Sequence, residues 1–395
     1  MEAHICVMAI PKYILPIIVL SQFCCTSLWF AGNAVMADMI GAFGLDEGAL
    51  GHLTSAVQFG FISGTLVFAI LTISDRYSPS LVFMVCALFG AIFNLGVIWE
   101  GNSLMSLVLL RFLTGFSLAG IYPVGMKIAA DYFERGLGLS LGYLVGALVL
   151  GTAFPHFLKL SFSNVSWFWV IGFTSFIALL GGLLVWRCIP NGPYRKKSQR
   201  MDFSAFFNVF RNRNFRSAAF GYFGHMWELY AFWAFVPVMI SNFNEGHMGN
   251  EINVSLFSFI IIAIGSLGCI AGGYTSLSFG PKRTAFAALF ASFLCCLISG
   301  FVFEMNAPIA IIIFLCFWGF VVVADSPLFS TLVAQNASVE IKGTALTIVN
   351  CIGFAISILT IQILNHLSFW TDSPFIYSLL SIGPLLGLVA LLKKG

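Results

Sequence analysis

Tyr222, His225 and Glu228 recur at spacings of three within one apolar stretch. On a helix, that spacing predicts a ridge along one face. Glu228 falls near the middle of the stretch, where an unpaired carboxylate is a candidate proton carrier, and His225, one turn away, is its partner or a second carrier. Asp325 stands beside Pro327 in another apolar stretch, where proline frees backbone groups that Ser326 can satisfy. The cations available to it at similar depth are Arg111 and Lys127. Each such charge costs at least about 2.5–3.5 kcal/mol at the centre of a lipid-facing helix, so it must face a bundle interior, a partner or a water-filled cavity.

A second constellation is polar but uncharged. Gln22, Thr26, Trp29 and Asn33 fall at i, i+4, i+7 and i+11, one stripe of a helix. Polar stripes on membrane helices tend to face a cavity or a neighbouring helix. His52, Gln58, Tyr122, Tyr222 and Asn350 complete a candidate lining, while Asp38, His156 and Lys159 lie near segment ends and read as interfacial. The signs divide by half: Arg111 and Lys127 come first in the chain, His225, Glu228 and Asp325 later. A solute carboxylate would dock on the basic half while the acidic half carries a proton.

The elements that position these residues follow from composition. The 395 residues are 59% hydrophobic, 16% aromatic and 9% charged, with a mean hydropathy of +0.96. A soluble domain carries about 25% charged residues, so the chain is an integral membrane protein. Its apolar runs reach twenty residues with little alternation, which predicts spanning helices and argues against a barrel. The net charge of +3 points to no nucleic-acid partner. The ten cysteines form no CxxC pair and suit no zinc site, so they read as small buried hydrophobes, and neither metal nor cofactor is expected. The first apolar run lacks a cleavage site and reads as a retained helix.

Twelve segments are expected, at about 12–40, 49–73, 79–99, 104–133, 137–160, 166–188, 214–241, 253–276, 282–303, 307–335, 342–365 and 374–392. With the N-terminus in the cytoplasm, nearly every loop Lys and Arg falls on that side and only Lys159 lies outside, which predicts that both termini are cytoplasmic. The polar stretch 189–213, with Arg195, Lys196 and Lys197, divides a six-helix bundle at 1–188 from another at 214–395. Its Phe203, Phe206, Phe207 and Phe210 suit either an interfacial helix or a solvated linker. The halves look like diverged copies. Gly115 and Pro123 match Gly319 and Pro327 at an offset of 204, as do Trp29 and Trp233. Arg135, Gly136 and Gly146 match Lys342, Gly343 and Gly353 at 207. Two parallel six-helix repeats are an arrangement of secondary transporters, with the solute site between them near the midplane.

Over essentially its whole length the chain resembles the major facilitator superfamily. That family's loop between the second and third helices is half kept in each repeat: Asp75 and Arg76 in the first, Gly273, Gly280, Lys282 and Arg283 in the second. The resemblance implies a cytoplasmic gate that would include these charges with Asp131 and Arg135, Asp75 latching the halves. Arg111 and Gly115 resemble the fourth-helix motif that the family associates with proton coupling. Gly138, Gly142, Gly146 and Gly151 are spaced for helix packing, and Pro155 is out of register with the antiporter signature. Neither the second nor the eighth helix carries the Arg of the nitrate branch. The strings GYFGHMWELYAFWAFVP and VVADSPLFSTLVAQNA resemble a bacterial permease subgroup, implying a bacterial cytoplasmic membrane. The reading is a monomeric, proton-coupled, alternating-access importer of a small anionic or zwitterionic solute. Open beside it are a proton-driven exporter of amphipathic compounds and a non-transporting solute sensor; no HExxH, GxSxG or clustered acid pair suggests an enzyme.

Overall fold

The structure, a computed structural model, describes residues 11–46, 48–133, 137–162, 165–195, 209–246, 252–305, 307–338 and 341–392, without the side chains of 137–139. The described residues form helices and no strands. Among the described residues, ten helical stretches are long and apolar enough to cross a membrane, and Ile14–Thr26 is a shorter apolar helix. The Arg213–Gly246 helix runs for 34 residues, about 51 Å at 1.5 Å per residue. Most of the expected linker, including Phe203, Phe206 and Phe207, lies outside the described residues, as do Arg135, Gly136, Lys196 and Lys197. Phe210 packs edge to face on Phe215, with ring centroids 5.1 Å apart.

Three expected segments are interrupted. The fourth divides into Leu104–Leu118 and Tyr122–Tyr132, and the tenth into Pro308–Ala324 and Ser326–Gln335. Pro123 and Pro327 account for both breaks, since each lacks an N–H and its ring crowds the carbonyl four residues back. The first segment has no proline at its break. It stops at Thr26 and resumes as the short helices Ala31–Ala34 and Met36–Phe43, leaving carbonyls between them that need donors from elsewhere.

The internal repeat appears as two near-identical helix contacts. A Cβ on Gly115 would lie 2.0 Å from the Val57 carbonyl oxygen, and one on Gly319 would lie 2.1 Å from that of Ile261. Gly64 meets the Phe116 carbonyl at 2.6 Å and Gly268 the Phe320 carbonyl at 2.1 Å. Every residue of the first set matches its counterpart at the offset of 204. Ala49–Ile70 therefore packs backbone to backbone on Leu104–Leu118 as Val254–Phe279 packs on Pro308–Ala324. Without hydrophobic drive between helices in lipid, such close approach supplies the packing energy. Gly115→Ala and Gly319→Ala should each destabilise the protein by at least about 1–3 kcal/mol, as overpacked cores do. Gly142→Ala, whose Cβ would meet nothing within 4 Å, should be neutral or slightly stabilising. Thermal unfolding in detergent checks the contrast.

The halves meet along Leu137–Ser161 against Val254–Phe279 and along Ala49–Ile70 against Lys342–Ser368. One end of the interface is clasped. Gly51 donates its N–H to Asn365 Oδ1 at 3.2 Å, and Gln362 Nε2 donates to Gly51 O at 3.0 Å and Ser55 Oγ at 2.8 Å. On the other helix pair of the interface, Phe157 and Phe259 pack with ring centroids 5.3 Å apart. At the other end Cβ atoms on Gly142, Gly273 and Gly343 would meet nothing within 4 Å, while Tyr143 and Tyr274 still meet across the halves.

Candidate functional site

Beyond the clasp, aromatic rings from both halves form a layer. Trp29 lies roughly parallel to Tyr230 at 5.6 Å and to Phe354 at 5.7 Å, and Phe61 meets Phe354 at 4.6 Å. Trp29 and Phe61 belong to the first half, Tyr230 and Phe354 to the second. Adjoining this layer is a narrow cavity lined from both halves, with about 40 Å³ of free space, well below the about 300–1,000 Å³ usual for small-molecule sites and enough for a few waters in this state. Of the expected lining residues, Tyr122, Tyr222 and Asn350 face it. Sequence reasoning missed Tyr230, Ser326 and Ser330. A signal for the last two existed: they match Tyr122 and Met126 at the repeat offset, and all four line the same cavity.

The rest of the expected stripe lies elsewhere. The break after Thr26 ends the helical register on which the stripe depended. Gln22 is fully buried against Gly125, Asn33 donates to Thr54 Oγ1 at 2.8 Å, and Gln58 is buried with no hydrogen-bond partner among the described residues. Trp29 joins the aromatic layer. His156, expected at an interface, is buried, whereas Lys159 pairs with Asp38 at 2.6 Å.

The ridge on Arg213–Gly246 fans out instead of facing one partner. Residues turn about 100° each, so three positions fall about 60° short of a full circle and three such residues span a wide arc. Tyr222 faces the cavity. His225 Nδ1 pairs with Asp325 Oδ1 at 2.8 Å, both side chains 1% exposed. Asp325 therefore pairs with His225, not with Arg111 or Lys127, and His225 is not paired with Glu228. Glu228 turns into its own half. Its Oε1 accepts from Trp318 Nε1 at 2.6 Å, from Cys296 Sγ at 3.3 Å and from Ser292 Oγ in a very short hydrogen bond. It is 1% exposed and has no cation beside it among the described residues.

Arg111 is committed to the first half's backbone. Its guanidinium donates to Trp29 O at 2.5 Å, to Leu28 O at 3.2 Å and to Asn94 Oδ1 at 3.2 Å, and it is 1% exposed. Neither carbonyl accepts a backbone hydrogen bond among the described residues. Arg111 thus supplies the donors that the break in the first segment requires, and through Trp29 O it holds the indole in the aromatic layer. It lines no part of the cavity.

Lys127 also points away from the cavity. It is paired with Asp75, so Asp75 bridges elements of its own half and does not latch the two halves together. Around this pair, Arg195 donates to Asp75 O at 2.9 Å and Tyr77 O at 2.8 Å, Arg76 Nε to Thr72 Oγ1 at 3.2 Å, and Tyr194 N to Asp131 O at 3.0 Å. The start of the linker is thereby tied to the first half. Lys282 and Arg283 are exposed on the second half, and no ion pair joins the halves among the described residues.

Broken membrane helices, a repeated bundle and one cavity shared by both repeats define the architecture of a secondary transporter. The chain belongs to the Major Facilitator Superfamily, whose family model matches residues 18–361. Solved structures share the fold at low identity. The proton:xylose symporter XylE bound to 6-bromo-6-deoxy-D-glucose has a TM-score of 0.74 at 13% identity, covering 95% of this chain and 94% of its own. The nucleoside transporter NupG, as a mutant, has 0.71 at 15%, covering 97% and 100%. A bacterial homolog of the human lysosomal transporter Spinster, inward-facing and unoccupied, has 0.65 at 15%, covering 96% and 94%. Comparison with curated proteins finds no match. The chain is thus a multi-pass membrane protein of a transporter family that moves small solutes and is not an enzyme family.

Proposed function

We propose that this protein is a proton-driven importer of a small solute, working as a monomer in a bacterial cytoplasmic membrane by alternating access. The observation that carries the reading is Glu228, a buried carboxyl with donors on one oxygen and no cation beside it. A carboxyl in that setting holds a proton in one state and releases it when hydration or a new partner arrives in the other. Glu228 lies one and two residues before Leu229 and Tyr230, which line the cavity, so its protonation is coupled to the wall by the helix itself. The His225–Asp325 pair, beside Tyr222 and Ser326, is the second titratable element.

The clasp at Gly51, Gln362 and Asn365 supports a state closed at that end. With cytoplasmic termini the closed end is the outer one. A carboxylate-bearing solute loses its expected anchors, because Arg111 and Lys127 are engaged elsewhere. The test is proton movement in liposomes loaded with a pH-sensitive dye. Solute addition should carry protons inward with it; solute entry that leaves lumenal pH unchanged, and that ignores a collapsed gradient, sinks the proton half of the proposal.

A further inference from the structure

We propose that a cleft at one end of the second half binds a phosphate-bearing anion, supplied by a phospholipid headgroup or by a soluble phosphate compound. The cleft lies among the ends of four helices, Arg213–Gly246, Pro281–Phe303, Ser326–Gln335 and Ile382–Leu392. Asn214, Ser217, Lys282, Asn336 and Leu391 line it, around about 220 Å³ of free space. That is more than five times the 40 Å³ between the halves and just under the about 300 Å³ at which small-molecule sites begin. The two spaces share no lining residue.

The internal repeat shows how the same place is filled in the first half. There Ser80 Oγ donates to Ile189 O at 2.7 Å and Tyr132 Oη donates to Pro190 O at 2.6 Å. The chain leaving Phe168–Cys188 is thus held by the helices that begin at Pro79 and end at Tyr132. Ser80 matches Lys282 at an offset of 202, as Pro79 matches Pro281, and Tyr132 matches Asn336 at 204. The two donors that hold carbonyl oxygens in one half therefore have counterparts lining the cleft in the other, where the described residues leave the space open.

The change of residue type sets the chemistry. A hydroxyl that suits a neutral carbonyl becomes an ammonium, and Lys282 has no ion pair among the described residues. Asn336 spends one amide hydrogen on Leu332 O at 2.8 Å and keeps the other. The side-chain amide of Asn214 makes no hydrogen bond among the described residues. Ser217 donates to Ala390 O at 2.8 Å, so its hydrogen is already used. Three donors on the ammonium, two on Asn214 and one on Asn336 are left to converge from three helices. A tetrahedral phosphate can meet donors on three sides, whereas a planar carboxylate has two oxygens in one plane. No carboxylate lines the cleft, and the neighbouring Arg213, Arg216 and Arg283 are exposed, so the surrounding field favours an anion. Basic residues at a helix end also meet anionic headgroups at the membrane surface. A bound phosphate ties the helix ends of the second half as Ile189 and Pro190 tie those of the first, whatever the solute or the direction of transport.

The test has two arms on the purified full chain in detergent. In one, inorganic phosphate is titrated at constant ionic strength and the unfolding temperature is read. In the other, mixed micelles offer dioleoylphosphatidylglycerol against dioleoylphosphatidylcholine, and native mass spectrometry counts the retained lipid. One arm should show saturable binding at a single site. Preferential retention of phosphatidylglycerol assigns a lipid headgroup, and saturation by inorganic phosphate without that retention assigns a soluble compound. Lys282→Gln should weaken the binding about tenfold, the loss of a charge-assisted hydrogen bond, while Arg283→Gln, beside the cleft but not lining it, should change it less than twofold. Asn214→Ala should weaken it severalfold without lowering the unliganded unfolding temperature, because that amide has no partner to lose, and it carries the test if Lys282→Gln fails to fold. Saturation in neither arm overturns the proposal. So does an Arg283→Gln loss equal to that of Lys282→Gln, which marks a diffuse basic surface, or full binding in Asn214→Ala.

Discussion

Glu228→Gln is expected to abolish gradient-driven accumulation while leaving solute exchange in place. Glutamine keeps the carbonyl oxygen that can accept from Ser292, Trp318 and Cys296, so the buried network survives. What it loses is a proton to release. One proton moved through 100 mV supplies about 2.3 kcal/mol, and at about 1.4 kcal/mol per factor of ten that sustains roughly 50-fold accumulation. The variant should fall to a ratio near one under the same gradient. Counterflow of labelled against unlabelled solute needs no net proton movement and should stay close to wild type. Accumulation that survives the substitution would remove Glu228 from coupling and leave His225–Asp325 as the candidate. Loss of both activities with a lowered unfolding temperature would assign Glu228 to structure alone.

Arg111→Met is expected to be among the most destabilising single changes in the chain. The family resemblance suggests a coupling role for this arginine, but the geometry gives it a structural one first. Removing the guanidinium leaves Leu28 O, Trp29 O and Asn94 Oδ1 without the donors they have among the described residues. Each unsatisfied buried acceptor costs about 1–3 kcal/mol, so the sum takes a large share of a typical stability of about 5–15 kcal/mol. Methionine has similar length and no desolvation cost of its own, which tempers the loss. Arg111→Lys should be intermediate, because a single ammonium cannot match the planar fork that reaches two carbonyls and an amide together. The measurements are the unfolding temperature and the emission of Trp29, whose indole is set by the carbonyl that Arg111 holds. A stable, correctly folded Arg111→Lys protein that fails only in proton-coupled uptake would restore the coupling role.

Much of the fold is legible in the sequence. Mean hydropathy and low charge demanded a membrane protein, and Gly115, Pro123, Gly319 and Pro327 revealed the repeat. The offset of 204 holds in space because glycine and proline fix local events, a close approach and a broken helix, that leave their mark on sequence wherever they occur. Tyr122, Tyr222 and Asn350 were likewise found as cavity residues, since a polar group in an apolar segment has few places to go.

Partners were another matter. Arg111, Lys127, His225, Glu228 and Asp325 were recognisable as charges needing company, and the sequence by itself determined that much. Which company each keeps was decided by the tertiary structure. The rotation of each helix about its axis turns Glu228 toward Ser292 and Trp318 and His225 toward Asp325. A break without proline after Thr26 created the carbonyls that claim Arg111, and dissolved the polar stripe of Gln22, Trp29 and Asn33. Sequence spacing fixes which residues share a helix face, whereas the neighbour opposite that face is set by packing between segments far apart in the chain.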